Sequence, residues 1–422
     1  MIPLLLFALA FSKTGDAVVR ELAASGRAHV IVALRHWAAP RGSARVTASW
    51  RNLDGFAADV TPESLAELEA DPNVVRVDLD DGGTGGLAQS VPLVGGDKTR
   101  AIGATGRGVS VAVLDSGVDE THPDLAGRIA DEQCFCTDLD GNGCCPNHQS
   151  TQSGPGAAAD DNGHGTNVTG IIASRGIVTK SPGIAPDVTL VIVKVLDRDN
   201  TFRSGSQVLS GLDWLIDNHP EVRVVNMSLY TSALFEGNCD SAASFTMLFA
   251  EAVRTLRARG TLVFACSGNE SSAKLMGAPA CVEAAVSVGA VYDADIGPFA
   301  FGSCHDATTA ADQIACFSDS NATLDLLGPG ALITSDGRGG GTSTYAGTSQ
   351  ATPHAAGAAA VLWALKPRAT PDEIESLLKS TGKPIADARN GVTTPRIDVY
   401  AAVQELLRTL PPPPPRHRAA RH

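Results

Sequence analysis

Basic residues are in the minority. Lys and Arg number 33 against 46 Asp and Glu, a formal net charge of −13, and a surface of that sign repels phosphate backbones, which excludes nucleic acid as a partner. Long apolar runs are missing too. Apart from a short N-terminal stretch, no segment approaches the ~18 uninterrupted apolar residues of a membrane-spanning helix, so no membrane partner is expected. Charged residues are sparse at 19%, beside 43% hydrophobic and 43 Gly, the balance of a packed chain and not of a disordered one. What the chain does have is length and cysteine. At roughly 100–200 residues per domain, 422 residues provide for two or three folding units. Nine cysteines, four of them between Cys134 and Cys145, exceed what a reducing compartment usually holds without metal, and a secreted, extracytoplasmic protein is expected.

Ile2 to Phe11 is apolar and contains Ala8-Leu9-Ala10, the small-x-small form of a signal cleavage site, although no basic residue precedes it. Residues 1–24 therefore read as a leader, the alternative being a run that packs on the first domain. His29–Leu34 has the composition of a strand, Thr61-Pro62 opens a short helix through Leu65 and Leu68, and Val74–Val77 forms a second strand. This is a βαβ-like unit. The Gly-rich acidic stretch Asp80–Gly86 follows as a linker, and a domain boundary is placed there. Beyond it, apolar strands at Val109–Leu114, Leu190–Val195, Val222–Asn226, Thr261–Ala265 and Ala285–Ala290 alternate with helices at Gln207–Asp217, Ser244–Ala258 and Thr352–Leu365. The pattern predicts an α/β fold, a mostly parallel sheet with helices on both faces. Such sheets place chemistry at the C-terminal ends of their strands. Pro411–Pro415 and the Arg- and His-rich residues after it predict an extended, disordered tail.

Three motifs carry chemistry. Asp115 ends a buried strand, where an ionised carboxylate needs a positive or hydrogen-bonding partner. His164, within Asp161-Asn-Gly-His-Gly-Thr166, sits near a helix N-terminus among glycines that permit close backbone approach. Ser349, within Gly347-Thr-Ser-Gln-Ala-Thr-Pro-His354, stands at the entrance of an Ala-rich helix, whose N–H groups can stabilise a developing anion. Singly, each has a bland reading: a structural acid, a core histidine, a helix cap. Together, in the order Asp, His, Ser, they match one of the chain orders of hydrolase triads.

With His122-Pro-Asp-Leu, Gly183-Ile-Ala-Pro, Asn226-Met-Ser-Leu and Ser267-Gly-Asn269 also in place, the chain resembles the subtilisin-like serine proteases, the subtilases, over about Ala88 to Leu407. The resemblance implies a subtilisin-like peptidase domain over 88–409, with Ser349 as nucleophile, His164 as general base and then acid, and Asp115 holding the imidazole. It implies Asn269 as an oxyanion donor with the Ser349 N–H. Ser228, Leu229 and Tyr230 resemble the strand that pairs with substrate backbone, and Ser267, Gly268 and Gly277 fall in the substrate pocket. There are departures. The family usually has glycine at Tyr230 and methionine at Gln350, so subsite preference cannot be transferred, and Asn167 replaces a common histidine, a packing change.

Residues 25–87 resemble the family's inhibitory propeptide, a small α+β ferredoxin-like domain, most clearly in Gly55-Phe-Ala-Ala and Leu65–Val77. Such a unit assists folding of a slow parallel sheet and blocks the site until cut. Ala88–Pro92 resembles a mature start, which predicts self-cleavage within Asp80–Gln89, preferentially at Leu87–Ala88. Leu87 in that place, with Gly277 in the pocket, points to a large apolar residue before the scissile bond.

Cys304 with Cys316 and Cys239 with Cys281 are candidate disulfides. Cys134, Cys136, Cys144 and Cys145 form two more or a zinc site, and their C-x-C and C-C spacing favours disulfides. Cys266 is then the free thiol, beside the pocket or simply a small buried residue. Asp138, Asp140 and Asn142 have the spacing of a calcium loop, against the alternative of a solvated acidic turn. Asp124 matches an acidic calcium ligand of some subtilases, but the loop near Arg175–Lys180 lacks the partner side chains, so no site is expected there. No cofactor is required for catalysis; structural calcium is a candidate beside the zinc alternative. The expected protein is a monomeric secreted endopeptidase made as a zymogen, with protein or peptide substrates and its own propeptide as intramolecular inhibitor. The alternatives are a narrow-specificity processing peptidase and a catalytically silent binding protein.

Overall fold

The computed structural model describes residues 13–36, 38–40, 42–49, 54–79 and 87–409. The apolar run Ile2–Phe11, the Asp80–Gly86 linker and the proline-rich tail lie outside them. The chain divides into two compact units, residues 1–84 and 85–422.

In the small unit, strand Ala28–Leu34 lies between Gly55–Val60 and Val74–Leu79, antiparallel to both, and Arg45–Ser49 extends the sheet beyond Gly55–Val60. The expected βαβ-like pair is therefore corrected. Its two strands do neighbour each other, but antiparallel, because two further strands intervene in the chain. Helix Pro62–Ala70 starts where predicted, with Pro62 in the first turn and a reciprocal cap in which Ser64 N donates to Thr61 Oγ1 and Thr61 N to Ser64 Oγ. Helix Asp16–Ser25, in the stretch read as leader, contributes Val18 and Leu22 to the same core as Val30, Val32, Phe56 and Leu65.

The large unit is built on a ten-stranded sheet. In spatial order its strands are Lys383–Ala386, Thr393–Arg396, Leu326–Ala331, Val286–Tyr292, Leu262–Cys266, Val222–Met227, Ser110–Asp115, Thr189–Lys194, Ile129–Phe135 and Thr151–Ser153. Every pairing is parallel except the two at the margins. The five predicted strands are all present, with ends shifted by one or two residues. Side chains alternate across the pleat. Val111, Val113, Leu190 and Ile192 pack toward helices His164–Ala173 and Thr348–Leu365, while Ala112, Leu114, Val191 and Val193 face Gly205–Asn218 and Ser244–Ala258. This is the expected mostly parallel α/β architecture with both faces covered. Ser110–Asp115 lies at the switch in chain order, so its C-terminal end opens onto the crevice where such sheets bind ligands.

Helix Thr348–Leu365 rests directly on strand Leu326–Ala331. A Cβ on Gly328 would come within 2.7 Å of the Ala351 carbonyl oxygen, so glycine lets the helix settle at that depth. Disulfides join Cys134 to Cys145, Cys136 to Cys144, Cys239 to Cys281 and Cys304 to Cys316. The first two nest inside the insertion and consume the four thiols that zinc would need, and Cys266 is free and buried. Among the described residues no helix is long and apolar enough to cross a membrane.

Candidate active site

Asp115 is the last residue of its strand and fully buried. Its Oδ1 accepts from Ser116 N and from His164 Nδ1, each at 2.7 Å. His164 is the first residue of helix His164–Ala173, delivered by a turn built on Asp160. The Asp160 carboxylate accepts from Asn162 N, Gly163 N, Thr166 N, Thr166 Oγ1 and Ser116 Oγ, all between 2.6 and 3.0 Å. Burial alone would raise the Asp160 pKa; the bonds from Thr166, Gly163 and Ser116 outweigh it and hold the carboxylate below its usual range. Burial likewise acts to lower the His164 pKa, but the charge and hydrogen bond of Asp115, with the more distant charge of Asp160, prevail and the imidazole is raised above its ordinary value. His354, by contrast, is buried without a carboxylate and pushed down to about 4, so it stays neutral at pH 7.

Asp160 and Lys194 escaped the sequence reading, which singled out the adjacent Asp161. The fully buried Lys194 ammonium donates to the carbonyls of Ser116 and Leu196 at 2.8 and 2.9 Å and to Asp161 Oδ1 at 2.6 Å. It thereby ties together the backbone on both sides of the crevice floor. The one available signal was a lysine closing an otherwise apolar strand.

Ser349 is the second residue of helix Thr348–Leu365 and is 7% exposed. Its hydroxyl donates to the Ser228 carbonyl at 3.1 Å and lies 3.9 Å from Cys266 Sγ; it makes no hydrogen bond to His164. Pro353 has no N–H to offer the Ser349 carbonyl one turn earlier, and Ser228 Oγ donates to that carbonyl at 2.7 Å. Asn269 stands alongside. Its Oδ1 accepts from Thr348 N and Thr348 Oγ1 at 2.9 and 3.0 Å, which fixes the amide orientation and leaves Nδ2 without a partner among the described residues. Burial pushes the Cys266 thiol up to about 12, against weaker opposing bonds from Ser349 and Thr348, so it carries no thiolate at neutral pH.

A cavity of about 580 Å³ opens at Ser349, bordered by Ser228, Leu229, Tyr230, Asn269 and Glu270. Ser267 is buried behind it with its hydroxyl on the Asp319 carbonyl at 2.8 Å, and the Asp319 carboxylate accepts from Glu270 N and Ser272 N, fixing the turn that bears Asn269. Asn167 Nδ2 donates to the Ser343 carbonyl at 2.9 Å, and its Oδ1 accepts from Gln350 Nε2 at 3.5 Å.

The loop residues Asp138 and Asn142 bond to each other: Asn142 N donates to Asp138 Oδ1 at 2.8 Å and Nδ2 to Oδ2 at 3.2 Å. Among the described residues the one group of three potential metal ligands is elsewhere, at the buried His122, Asp124 and Asp336. There Asp124 already accepts from the N–H groups of Ile177, Val178 and Thr179. The loop that would supply calcium-binding oxygens turns its donors inward instead, so this geometry does not fit a cation.

The profile of the Subtilase family matches residues 106–397. The chain is 32% identical over 361 residues to an extracellular serine proteinase of Thermus sp. (strain Rt41A), covering 82% of this chain and 75% of that protein. It is 32% identical over 344 residues to subtilisin E of Bacillus subtilis (strain 168), covering 80% and 77%. A crystal structure of a cold adapted subtilisin-like serine proteinase superposes with a TM-score of 0.51 at 28% identity, covering 69% of this chain and 89% of that one.

Proposed function

The chain belongs to the subtilase family and is a serine-type endopeptidase, and from that premise we propose that it is secreted as a self-processing zymogen that cuts peptide bonds through Ser349, His164 and Asp115. The observation that carries the reading is the buried 2.7 Å contact between His164 Nδ1 and Asp115 Oδ1, beside a helix N-terminus that holds Ser349 within reach of an oriented Asn269. In the proposed reaction the Ser349 hydroxyl turns from the Ser228 carbonyl to His164 Nε2, which takes its proton as Oγ attacks the scissile carbonyl. Asn269 Nδ2 and the Ser349 N–H donate to the resulting oxyanion. As the C–N bond breaks, His164 gives its proton to the leaving amine. Water then hydrolyses the acyl-enzyme by the same proton transfers in reverse order. No metal or cofactor enters any step.

Residues 25–87 are proposed as the inhibitory propeptide, a reading supported by the separate core of the small unit, which also takes in Val18 and Leu22 of the preceding helix. Leu87 is fully buried at the start of helix Leu87–Leu93, and its carbonyl accepts from Ser181 Oγ at 3.1 Å. This favours a cut ahead of it, within 80–86, over the Leu87–Ala88 bond.

The test is to express the full chain and its Ser349→Ala variant, incubate both, and read mass, N-terminal sequence and labelling by a fluorophosphonate. Wild type alone should shorten to a start between residues 81 and 87 and take the label. A folded wild type that stays at full length and resists the label overturns the reading. Asn269→Ala should lower kcat by about 10²–10³, the effect typical of losing one oxyanion donor.

A further inference from the structure

Glycine at 277 had pointed to a deep pocket, but the space above it is filled. A Cβ on Gly277 would come within 2.8 Å of Tyr230 Cβ and 3.0 Å of its Cδ2, so the tyrosine side chain lies directly on this residue. Backbone bonds fix the arrangement: Gly277 N donates to the Ser267 carbonyl at 3.0 Å, and Thr231 N to the Ala278 carbonyl at 2.9 Å. The phenol then crosses to the opposite wall, where Tyr230 Oη donates to Glu270 Oε1 at 3.1 Å. Burial, then the nearby Cys266 and Glu270, raise the phenol's pKa and keep it the donor.

The cavity that these two residues border is the one that opens at Ser349. A peptide added alongside Ser228–Tyr230 as an extra strand brings its scissile carbonyl to Ser349 and Asn269. The side chain belonging to that carbonyl, one bond away, must then enter between the 228–231 wall and the 267–270 wall.

We infer that Tyr230, held by Glu270, bars this pocket, so that the enzyme accepts small residues such as Ala, Gly or Ser before the scissile bond and discriminates against Phe, Leu and Lys. The inference rests on the proposed role of Ser349 and departs from the large apolar residue that Gly277 and Leu87 had indicated. A benzyl group can enter only by displacing the Tyr230 ring and breaking its bond to Glu270, which leaves both polar groups to be resolvated.

The experiment uses peptides that differ only at the residue before the cleaved bond, with Ala, Leu, Phe or Lys there. They are offered to enzyme matured from the full chain, with fluorophosphonate labelling run in parallel. Wild type should favour Ala over Phe by about 10-fold or more in kcat/KM, the scale of steric discrimination in such pockets. Tyr230→Gly should raise the Phe-to-Ala ratio by at least about 10-fold. Tyr230→Phe keeps the ring, so it should retain the small-residue preference. The wild-type profile is decisive even if the Gly variant fails to mature. A labelled wild type that cleaves Phe, Leu or Lys as fast as Ala overturns the barred pocket and leaves the peptidase reading intact. A wild type that neither labels nor cleaves overturns both.

Discussion

Ser228 Oγ donates at 2.7 Å to the carbonyl of Ser349, the acceptor that Pro353 leaves unpaired one turn later in the helix. A proline in a helix interior normally costs stability through its lost hydrogen bond. Here a hydroxyl from the neighbouring strand end replaces the missing donor and fixes the height of the Ser349 backbone in the cleft. Ser228→Ala should therefore leave a buried carbonyl unpaired and cost about 1–3 kcal/mol. Pro353→Ala restores an N–H to the helix, so the double variant should lose less than Ser228→Ala alone. Urea unfolding of all four forms in the inactive Ser349→Ala background provides the measurement; additive effects would show that the two residues are unconnected.

Activity should depend on pH through His164. In the proposed reaction its base form takes the Ser349 proton, and its pKa is raised above 6.5, so the acid limb of kcat/KM should have its midpoint above 6.5 and activity should fall as pH drops through it. Asp160→Asn removes one of the charges that raise this pKa, and the limb should move to lower pH. Asp115→Asn should do the same while reducing kcat by about 10⁴. An acid limb that stays in place in both variants would dissociate it from His164.

Asp336 is fully buried beside Asp124, and burial, with the Asp124 charge second, pushes its pKa up to about 8. The folded chain thus binds this proton more tightly than the unfolded one. The associated stability is fully present below the ordinary aspartate pKa and is lost as pH rises through about 8. Asp336→Asn keeps a neutral partner at every pH, and should be more stable than wild type at pH 8 by about 1–3 kcal/mol and gain nothing at pH 4. Thermal unfolding at the two values, again with Ser349→Ala, decides it. Equal shifts at both would point to packing.

The disulfides differ in span. Cys239 and Cys281 are 42 residues apart, while Cys134–Cys145 and Cys136–Cys144 close 11 and 8. On loop-closure entropy, removing the first by paired alanines should cost about 4 kcal/mol, and either of the others about 2–3 kcal/mol. Denaturant midpoints of the paired variants test the order.

The central strands and the three chemical motifs were legible because buried parallel strands are continuous apolar runs and the motifs end or begin regular elements. Ile129–Phe135 was not, since Asp131 and Glu132 interrupt its apolar character; Glu132 is nonetheless buried and accepts from Ala158 N at 3.1 Å. Leu326–Ala331 carries Gly-Pro-Gly, a turn signal, yet every residue in it is buried. Its glycines serve the close approach of the Ser349 helix, a tertiary requirement with no local trace. In the small unit, the strand at Arg45–Ser49 is short and its partner Gly55–Val60 was read only as a resemblance, so the order of pairing could not be deduced. Asp160 caps its own turn two to six residues on but reaches Ser116 across 44, Lys194 bonds Asp161 and Ser116 across 33 and 78, and Tyr230 and Glu270 meet across 40. Substitution against a family pattern flagged Tyr230, but only the fold gives the direction of its side chain.

The large sheet ends at both margins in a short antiparallel strand. Thr151–Ser153 has three residues and is bounded by the doubly bridged insertion. Lys383–Ala386 is largely exposed and carries a charge followed by Pro384, which offers no backbone N–H. Neither margin presents the long, flat row of unpaired amides that recruits further strands. An extended peptide fragment, the kind of chain a peptidase releases, therefore finds no long strand to pair with at either margin of this sheet.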